Sequence, residues 1–318
     1  MNTIVAKENI RLDIVLQKEL KTSRSQVENF IKTVGIKVND KTIFKSGYKI
    51  KIGDIISYDL PKVTSKKEYE VNFDVDIIYE DDDLLVLNKP PFLTIHPAPS
   101  VKEATLVEWL KSKNFTLSNL SGEERAGIVH RIDKETSGAL VVAKNNSSHS
   151  ALSQQLSDKT MGRYYLAIID SPLKEDIVIE KNIARNPKNR LKMLASENGK
   201  YAKTSFKKLL LSKDEKYELI VAKLYTGRTH QIRAHLAYIN RHILADFTYG
   251  FKSNKDKINR IMLHAYTIYF THPTNSKKVF FKAPLFDDMR EILEKNFDKE
   301  ELHEKLSIDF ILNKFATS

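Results

Sequence analysis

One stretch of the sequence gathers most of the residue types that do chemistry. Residues 125–138 read Arg125-Ala126-Gly127-Ile128-Val129-His130-Arg131-Ile132-Asp133-Lys134-Glu135-Thr136-Ser137-Gly138. A carboxylate, Asp133, stands among His130, Arg131 and Lys134. Cations at that range favour the ionised form of a carboxylate, which a nucleophile or a general base needs. Thr136, Ser137 and Gly138 are turn formers that would fix the loop ahead of an apolar strand at 139–143. The same residues would equally make a surface loop with solvent-screened ion pairs.

A second cluster, Thr226-Gly227-Arg228-Thr229-His230-Gln231-Ile232-Arg233-Ala234-His235-Leu236, sets a glycine turn before a helix. Arg228 through Gln231 would then sit at the helix N-terminus, where unpaired N–H groups favour phosphate. Arg233 and Leu236 are i and i+3, so Arg233 borders the core. A buried guanidinium needs an anionic partner, and Asp133 is a candidate. Taken alone, an amphipathic helix with surface arginines fits as well. A third segment is Arg163-Tyr164-Tyr165-Leu166-Ala167. Strand alternation puts Arg163, Tyr165 and Ala167 on one face and Tyr164 and Leu166 on the other. One tyrosine would pack in the core while the other lines a cleft and stacks on a nucleobase, although two core tyrosines would give the same pattern.

Other chemistries find no residues to carry them. The chain has ten glycines, and they form neither G-x-G-x-x-G nor a P-loop. It has no cysteine, so disulfides, thiolate nucleophiles, Cys-ligated zinc and iron–sulfur clusters are excluded. His230 and His235 are five residues apart and do not share a helix face, which argues against zinc. The expectation is no metal and no cofactor.

The elements that must position these clusters follow from apolar periodicity. Leu12, Val15, Leu16 and Leu20 have helical spacing, as do Val27, Phe30, Ile31 and Val34. Ser23 and Gln26 form a possible capping box for the second helix, and Gly35 stands where its end wants positive φ. Short strands and turns follow to Tyr58. Residues 1–60 thus read as a small α/β unit. Eleven lysines and arginines against seven carboxylates give it a charge of +4. Arg11, Lys21, Arg24 and Lys32 fall near or between the two helices, where they suit phosphate contacts or a solvated helix face. Residues 61–70 are polar without an apolar period and read as a linker. In the larger domain, 71–295, strands are expected at 75–79, 84–87, 139–143, 164–169, 217–224, 263–270 and 279–281. Helices are expected at 105–110, 147–156, 229–238 and 287–294. Several turns are too short for crossovers, which predicts an α+β fold with a mixed, largely antiparallel sheet and flanking helices. Residues 296–318 read as a charged tail, helical or frayed.

The whole chain is 318 residues with 41% hydrophobic and 29% charged residues, enough apolar material for a packed core. Its net charge of +11 suits a polyanionic partner, although a lysine-rich composition can have other origins. The start carries no secretory pattern and no run approaches the ~18 apolar residues of a membrane helix. A cytoplasmic protein with no membrane partner is expected.

His130-Arg131-Ile132-Asp133-Lys134-Glu135-Thr136-Ser137-Gly138 resembles the active-site motif of the RluA-type RNA pseudouridine synthases. Four further segments of that family stand in the same order. They are Asn88-Lys89-Pro90-Pro91 with His96-Pro97, Arg163 to Ala167, Gly227 to Arg233, and Leu263-His264-Ala265 with His272-Pro273. The resemblance covers roughly residues 70–285. The N-terminal unit is similar to the small RNA-binding domain first known from ribosomal protein S-four. That domain, with the lead-in at 125–129, looks most like the members acting on large-subunit ribosomal RNA. The resemblance implies that Asp133 is the catalytic aspartate, that Tyr165 stacks on a flipped uracil and that Arg233 pairs with Asp133. It implies that Arg131 displaces the target base, and it makes His130, Arg228, His230, Arg11, Arg24 and Lys32 candidate RNA contacts. Arg163 stands where the family often has lysine, Ala245-Asp246 where it often has Gly-Asp, and Ile132 where leucine is commoner. The reaction breaks the bond from ribose to uracil nitrogen 1 and rejoins the base through carbon 5. No atom is gained or lost, so no cofactor is called for. A structured RNA, ribosomal RNA preferred, and a monomer are the expected partner and state. Transfer RNA as substrate and a non-catalytic ribosome-assembly factor on the same fold are the alternatives.

Overall fold

The computed structural model describes residues 2–20, 24–59, 69–252 and 258–316. The chain divides into two compact units, Met1–Glu68 and Tyr69–Ser318. The proposed linker falls outside the described residues except for Tyr69 and Glu70, and so does the Ser23–Gln26 capping box.

The first unit contains β1 (Asn2–Val5), β2 (Ile10–Arg11), α1 (Leu12–Leu20), α2 (Arg24–Val34), β3 (Ile36–Val38), β4 (Lys41–Ile43), β5 (Lys49–Ile50) and β6 (Ile55–Tyr58). Its main sheet has the order β1-β6-β3-β4, and β2 pairs with β5. The helical apolar positions Leu12, Leu16, Val27 and Ile31 are buried against Ile36, Val38, Ile43 and Ile56. Gly35 closes α2 at φ +76°, as its position demanded. Arg11 and Arg24 both reach the fully buried carboxylate of Asp13, at 2.7 Å and 3.4 Å, while each remains substantially exposed.

The second unit runs β7 (Asp76–Glu80), β8 (Leu84–Lys89), α3 (Leu106–Ser112), β9 (Ser137–Ala143), α4 (Asn146–Asp158), β10 (Gly162–Ile169), β11 (Ile177–Glu180), β12 (Ile183–Arg185), β13 (Met193–Ala195), β14 (Lys203–Leu211), β15 (Glu218–Leu224), α5 (Gln231–Tyr238), β16 (Leu263–Thr271), β17 (Lys278–Lys282), α6 (Asp287–Asn296), α7 (Lys299–Lys305) and α8 (Ile308–Ala316). A nine-stranded sheet has the order β11-β14-β15-β10-β16-β9-β8-β7, with β17 on the later part of β16. Its central strands are apolar on both faces because both are covered. Leu85, Leu87, Leu140 and Val142 join the main core with Trp109 of α3. Leu84, Val86, Ala139 and Val141 pack on the other side with Leu152 of α4.

The sheet is antiparallel except where β16 meets β9, with His264 opposite Ser137 and Ala265 opposite Gly138. Gly138 has φ +112°, and a Cβ there would lie 2.3 Å from the Ala265 carbonyl oxygen. The neighbouring Ser137 hydroxyl lies 2.8 Å from His264 Nδ1. His264 Nε2 donates to the Ala283 carbonyl at 3.2 Å, so Nδ1 is the acceptor for Ser137. Burial pulls the His264 imidazolium down to about 4, which keeps the ring neutral. This joint fixes the point at which the Asp133 loop enters the sheet.

Several segments differ from the sequence reading: strands β11 to β14 were not expected, and the C-terminal residues pack on the core. The last residues are helical, one of the two states expected of them, but they form no tail: Leu302, Ile311 and Phe315 of α7 and α8 are part of the main core. Phe315 packs 5.1 Å from the Tyr164 ring, and the Tyr266 hydroxyl donates to Leu306 at 2.8 Å. Strand β14 escaped prediction because a register shift between Lys208 and Leu210 breaks its period.

Gly138→Ala is expected to force β9 and β16 apart and to cost on the order of 2–3 kcal/mol. Thermal melts compared with wild type check this, and an unchanged melting temperature would show that the joint tolerates a side chain.

Candidate active site

The Asp133 loop is held at both ends. Its C-terminal end enters β9 at the Gly138 joint, after a turn in which the Thr136 N–H donates to the Asp133 carbonyl at 3.1 Å. Its middle is tied by Lys89, the last residue of β8. The Lys89 ammonium is fully buried and donates to the carbonyls of Pro90, Leu93 and Lys134 at 2.6, 3.0 and 3.1 Å. Burial pulls Lys89 down to about 7 and Arg260 adds to this, while the Asp133 carboxylate opposes it. Three carbonyl acceptors require three N–H donors, so the geometry holds it as an ammonium.

Helix α5 supplies the second wall. Arg233 is 4% exposed and forks onto Asp246, with Nε–Oδ2 at 2.7 Å and Nη2–Oδ1 at 2.8 Å. Its Nη1 reaches Asp133 Oδ2 only at 3.5 Å. The expected Arg233–Asp133 pair is present but long: the strong partner is Asp246, itself 1% exposed, and Asp133 is a weaker second neighbour at 19%. A bidentate pair outweighs a single long contact because both N–H vectors are aligned. Asp246 is presented by Ala245, an alanine at φ +62°.

Tyr249 completes this wall. Its backbone N–H donates to Asp246 at 3.2 Å, and its ring lies 4.9 Å from the Arg233 guanidinium carbon. Its hydroxyl accepts the Met193 N–H at 2.7 Å and lies 3.1 Å from His230 Nδ1. With Met193 as donor, the hydroxyl proton is free to bond Nδ1, which leaves the ring proton on His230 Nε2. That atom is 3.8 Å from Asp133 Oδ2. Burial lowers the His230 pKa against the pull of Asp133, so the ring faces the carboxylate neutral. Burial also pushes the Tyr249 hydroxyl up to about 12.

The two walls flank an open cleft lined by Arg131, Asp133, Tyr165, Arg228, His230 and Arg233 among others. Tyr165 lines it, yet at 4% exposure it also belongs to the main core together with Tyr164. Arg131 and Arg228 are exposed at the cleft. Of the Arg228–Gln231 N–H groups expected to be free, two are engaged: that of Arg228 donates to Gln231 Oε1 at 2.9 Å and that of Gln231 to the Arg228 carbonyl at 3.1 Å. His130 is also corrected. It is buried, its Nε2 accepts the Val141 N–H at 3.1 Å, and burial pulls it down to about 3. It braces β9 and is only 8% exposed. Lys32, like Arg11 and Arg24, lies in the other unit and is exposed.

Asp246, Tyr249 and Lys89 are the residues that the sequence reading left without a role. Among the described residues the one cluster spaced for a metal is Asp81, Asp83 and His272. Asp81 already accepts from Tyr79, Asp83, Leu84 and His272 Nε2, so its lone pairs are used.

A loop-borne carboxylate beside a buried arginine, in a cleft lined by a tyrosine, makes a site for nucleophilic or acid–base chemistry. Residues 83–238 match the family model described as RNA pseudouridylate synthase, and residues 10–56 match the S4 domain. An "uncharacterized RNA pseudouridine synthase" of Helicobacter pylori (strain J99) is 52% identical over 96% of this chain and 95% of its own. The Neisseria meningitidis serogroup B "Ribosomal large subunit pseudouridine synthase D" is 38% identical over 89% of this chain and 78% of its own. The human "RNA Pseudouridylate Synthase Domain Containing 1" shares the fold, with TM-score 0.58 at 23% identity over 75% of this chain and 97% of that one. The chain belongs to the RNA pseudouridylate synthase family and is an isomerase with an N-terminal S4 domain. No described helix is long and apolar enough to cross a membrane.

Arg233→Ala strands the buried Asp246 carboxylate and is expected to cost about 3–5 kcal/mol, and Asp246→Asn a comparable amount. Asp133→Asn removes only long contacts at a partly exposed carboxylate and is expected to change stability by less than about 1 kcal/mol. Thermal melts of the three variants decide this. Equal losses for Asp133→Asn and Asp246→Asn would make Asp133 a structural partner instead.

Proposed function

We propose that this synthase isomerises uridines of large-subunit ribosomal RNA, with Asp133 as the catalytic carboxylate. The observation that carries the chemistry is the state of Asp133. It is partly exposed at the cleft, with no side-chain contact shorter than 3.5 Å among the described residues. Its oxygens are free to attack ribose carbon 1 or to take the proton from carbon 2. Tyr165 offers a ring for the uracil, and Arg131 at the rim takes the place of the base in the stack. Flipping a uridine out costs a few kcal/mol, which stacking and an inserted arginine offset in part.

The choice of RNA rests on two supports. The relatives named for the large ribosomal subunit span most of this chain, and an S4 domain suits a large structured RNA. Arg11, Arg24 and Lys32 are its phosphate contacts in this reading. Such a substrate places the enzyme in the cytoplasm, where bacterial ribosomal RNA is made.

Asp133→Asn keeps the shape and removes the charge. It is expected to lower single-turnover pseudouridine formation by at least about 10⁴-fold with RNA affinity retained. Substantial product from the purified variant would remove Asp133 from its role. Mapping pseudouridines in total RNA with and without the protein tests the substrate. Sites lost from large-subunit ribosomal RNA support the reading, and losses confined to transfer RNA overturn it.

A chain beginning at Tyr69 keeps every residue of the cleft and loses the S4 domain. Its affinity for a long ribosomal RNA fragment is expected to show a salt slope smaller by ~2–3, from the loss of about three phosphate contacts. Paired salt titrations of the two forms measure it. Equal slopes would mean that the first unit does not touch phosphate.

A further inference from the structure

Three arginines of the described chain are buried: Arg163, Arg233 and Arg260. Two are neutralised in the way a buried charge demands. Arg233 forks onto Asp246, and Arg260 binds Asp288 at 2.5 and 2.7 Å. Arg163 has no such partner. It is 8% exposed, and among the described residues no carboxylate lies within ion-pair distance. Its Nε is buried without any hydrogen bond.

This bare guanidinium lines the catalytic cleft, and the chain makes room for it there. A Cβ on Gly227 would lie 3.0 Å from Arg163 Nη1 and 3.5 Å from Nη2. Any side chain at 227 would press on the guanidinium. A desolvated, unpaired cation is unfavourable in the empty protein. Its place in a site that takes RNA points to a ligand that brings the missing negative charge.

The depth of Arg163 selects which part of the RNA that is. Phosphates lie at the outside of a nucleotide, where the exposed Arg131 and Arg228 stand. Arg163 lies two residues from Tyr165 on the same face of β10, so the two side chains are neighbours about 7 Å apart along the strand. A carbonyl oxygen on the edge of a base lying on Tyr165 is the group of a nucleoside that this neighbouring donor would suit.

We propose that Arg163 is a catalytic residue that donates N–H groups to a carbonyl oxygen of the uracil and stabilises the negative charge the ring acquires when it leaves the ribose. The proposal rests on the reading of the cleft as a uridine site. In the step concerned, the bond between ribose carbon 1 and uracil nitrogen 1 breaks and its electron pair stays on the ring. The charge spreads over nitrogen 1, the two carbonyl oxygens and carbon 5. Carbon 1 is satisfied by an Asp133 oxygen, or by the pair left when Asp133 takes the proton from carbon 2. Carbon 5 then forms the new bond to carbon 1, Asp133 is released or returns its proton, and the proton of carbon 5 is replaced by one on nitrogen 1. No outside reactant enters. The guanidinium bonds a neutral carbonyl weakly and an anionic one strongly, and only that difference accelerates the reaction.

The test compares wild type, Arg163→Met and Arg163→Lys on in-vitro-transcribed large-subunit ribosomal RNA labelled with tritium at uracil carbon 5. Tritium release at saturating enzyme, RNA affinity and thermal melting are measured. Arg163→Met is expected to lose about 10²–10³-fold in single-turnover rate with affinity unchanged. Its melting temperature should equal or exceed wild type, because an unpaired buried charge has gone. Arg163→Lys keeps the charge and should recover to within about tenfold of wild type. A structural brace would behave differently, with a lower melting temperature in both variants. A rate for Arg163→Met within about threefold of wild type overturns the proposal. So does a weakened affinity with an intact rate at saturation, which would make Arg163 a phosphate contact. Wild-type protein that releases no tritium would instead overturn the ribosomal RNA reading.

Discussion

The site depends on the buried pair between Arg233 and Asp246. Both groups are almost wholly removed from water, so each needs the other, and each N–H···O bond fixes an orientation as well as a charge. Arg233 comes from the first turn of α5 and Asp246 from the turn before the β16 segment. Their fork locks the helix against that turn and spends two of the guanidinium directions. The third direction, from Nη1, is left for Asp133. Replacing the pair with apolar residues would hold the two elements together equally well, but nothing would then point at Asp133.

Tyr249 extends the same pair to the β12–β13 hairpin. Its ring lies against Arg233, its N–H binds Asp246, and its hydroxyl joins the Met193 N–H to His230. The hairpin between Ile183 and Ala195 carries Arg185, Lys188, Arg190 and Lys192 and no acidic residue. One tyrosine therefore binds both a basic hairpin and the two residues nearest Asp133. A second anchor, Lys89, does the corresponding work for the loop on the other side. Catalytic geometry of this kind tolerates displacements of well under 1 Å, which explains why so many buried polar bonds surround one carboxylate.

Much of this could be read from the sequence, and the failures share a cause. Tyr165 and Arg233 were singled out in segments with a strand or helix period, and Asp133 by the cluster of cationic residues around it. The main strands were legible because Leu84–Leu87, Ala139–Ala143 and Tyr164–Ile169 are continuous apolar runs. Asp246 was hidden as a partner because an alanine at φ +62° stands where a glycine would have marked the turn. Lys89 was passed over and His130 misjudged because their partners, the Lys134 carbonyl and the Val141 N–H, are backbone groups brought near only by the fold. No local pattern encodes such a bond. The C-terminal helices were different, since Ile308, Ile311 and Phe315 do have helical spacing, but the surrounding charge obscured it.

The asymmetry of Arg233 has a chemical consequence. A carboxylate in a bidentate ion pair has both oxygens engaged and must break that pair before it can attack or take a proton. Asp246 is in that condition, and Asp133 is not. Its neighbours are one guanidinium N–H at 3.5 Å and a neutral imidazole at 3.8 Å. These contacts orient the group and leave its oxygens accessible. The protein achieves this by supplying a second carboxylate to absorb most of the arginine. A buried arginine with Asp133 as its sole partner would close the 3.5 Å gap and convert a reactive group into a structural one. Two aspartates for one arginine is thus the arrangement that keeps a cation beside Asp133 without quenching it.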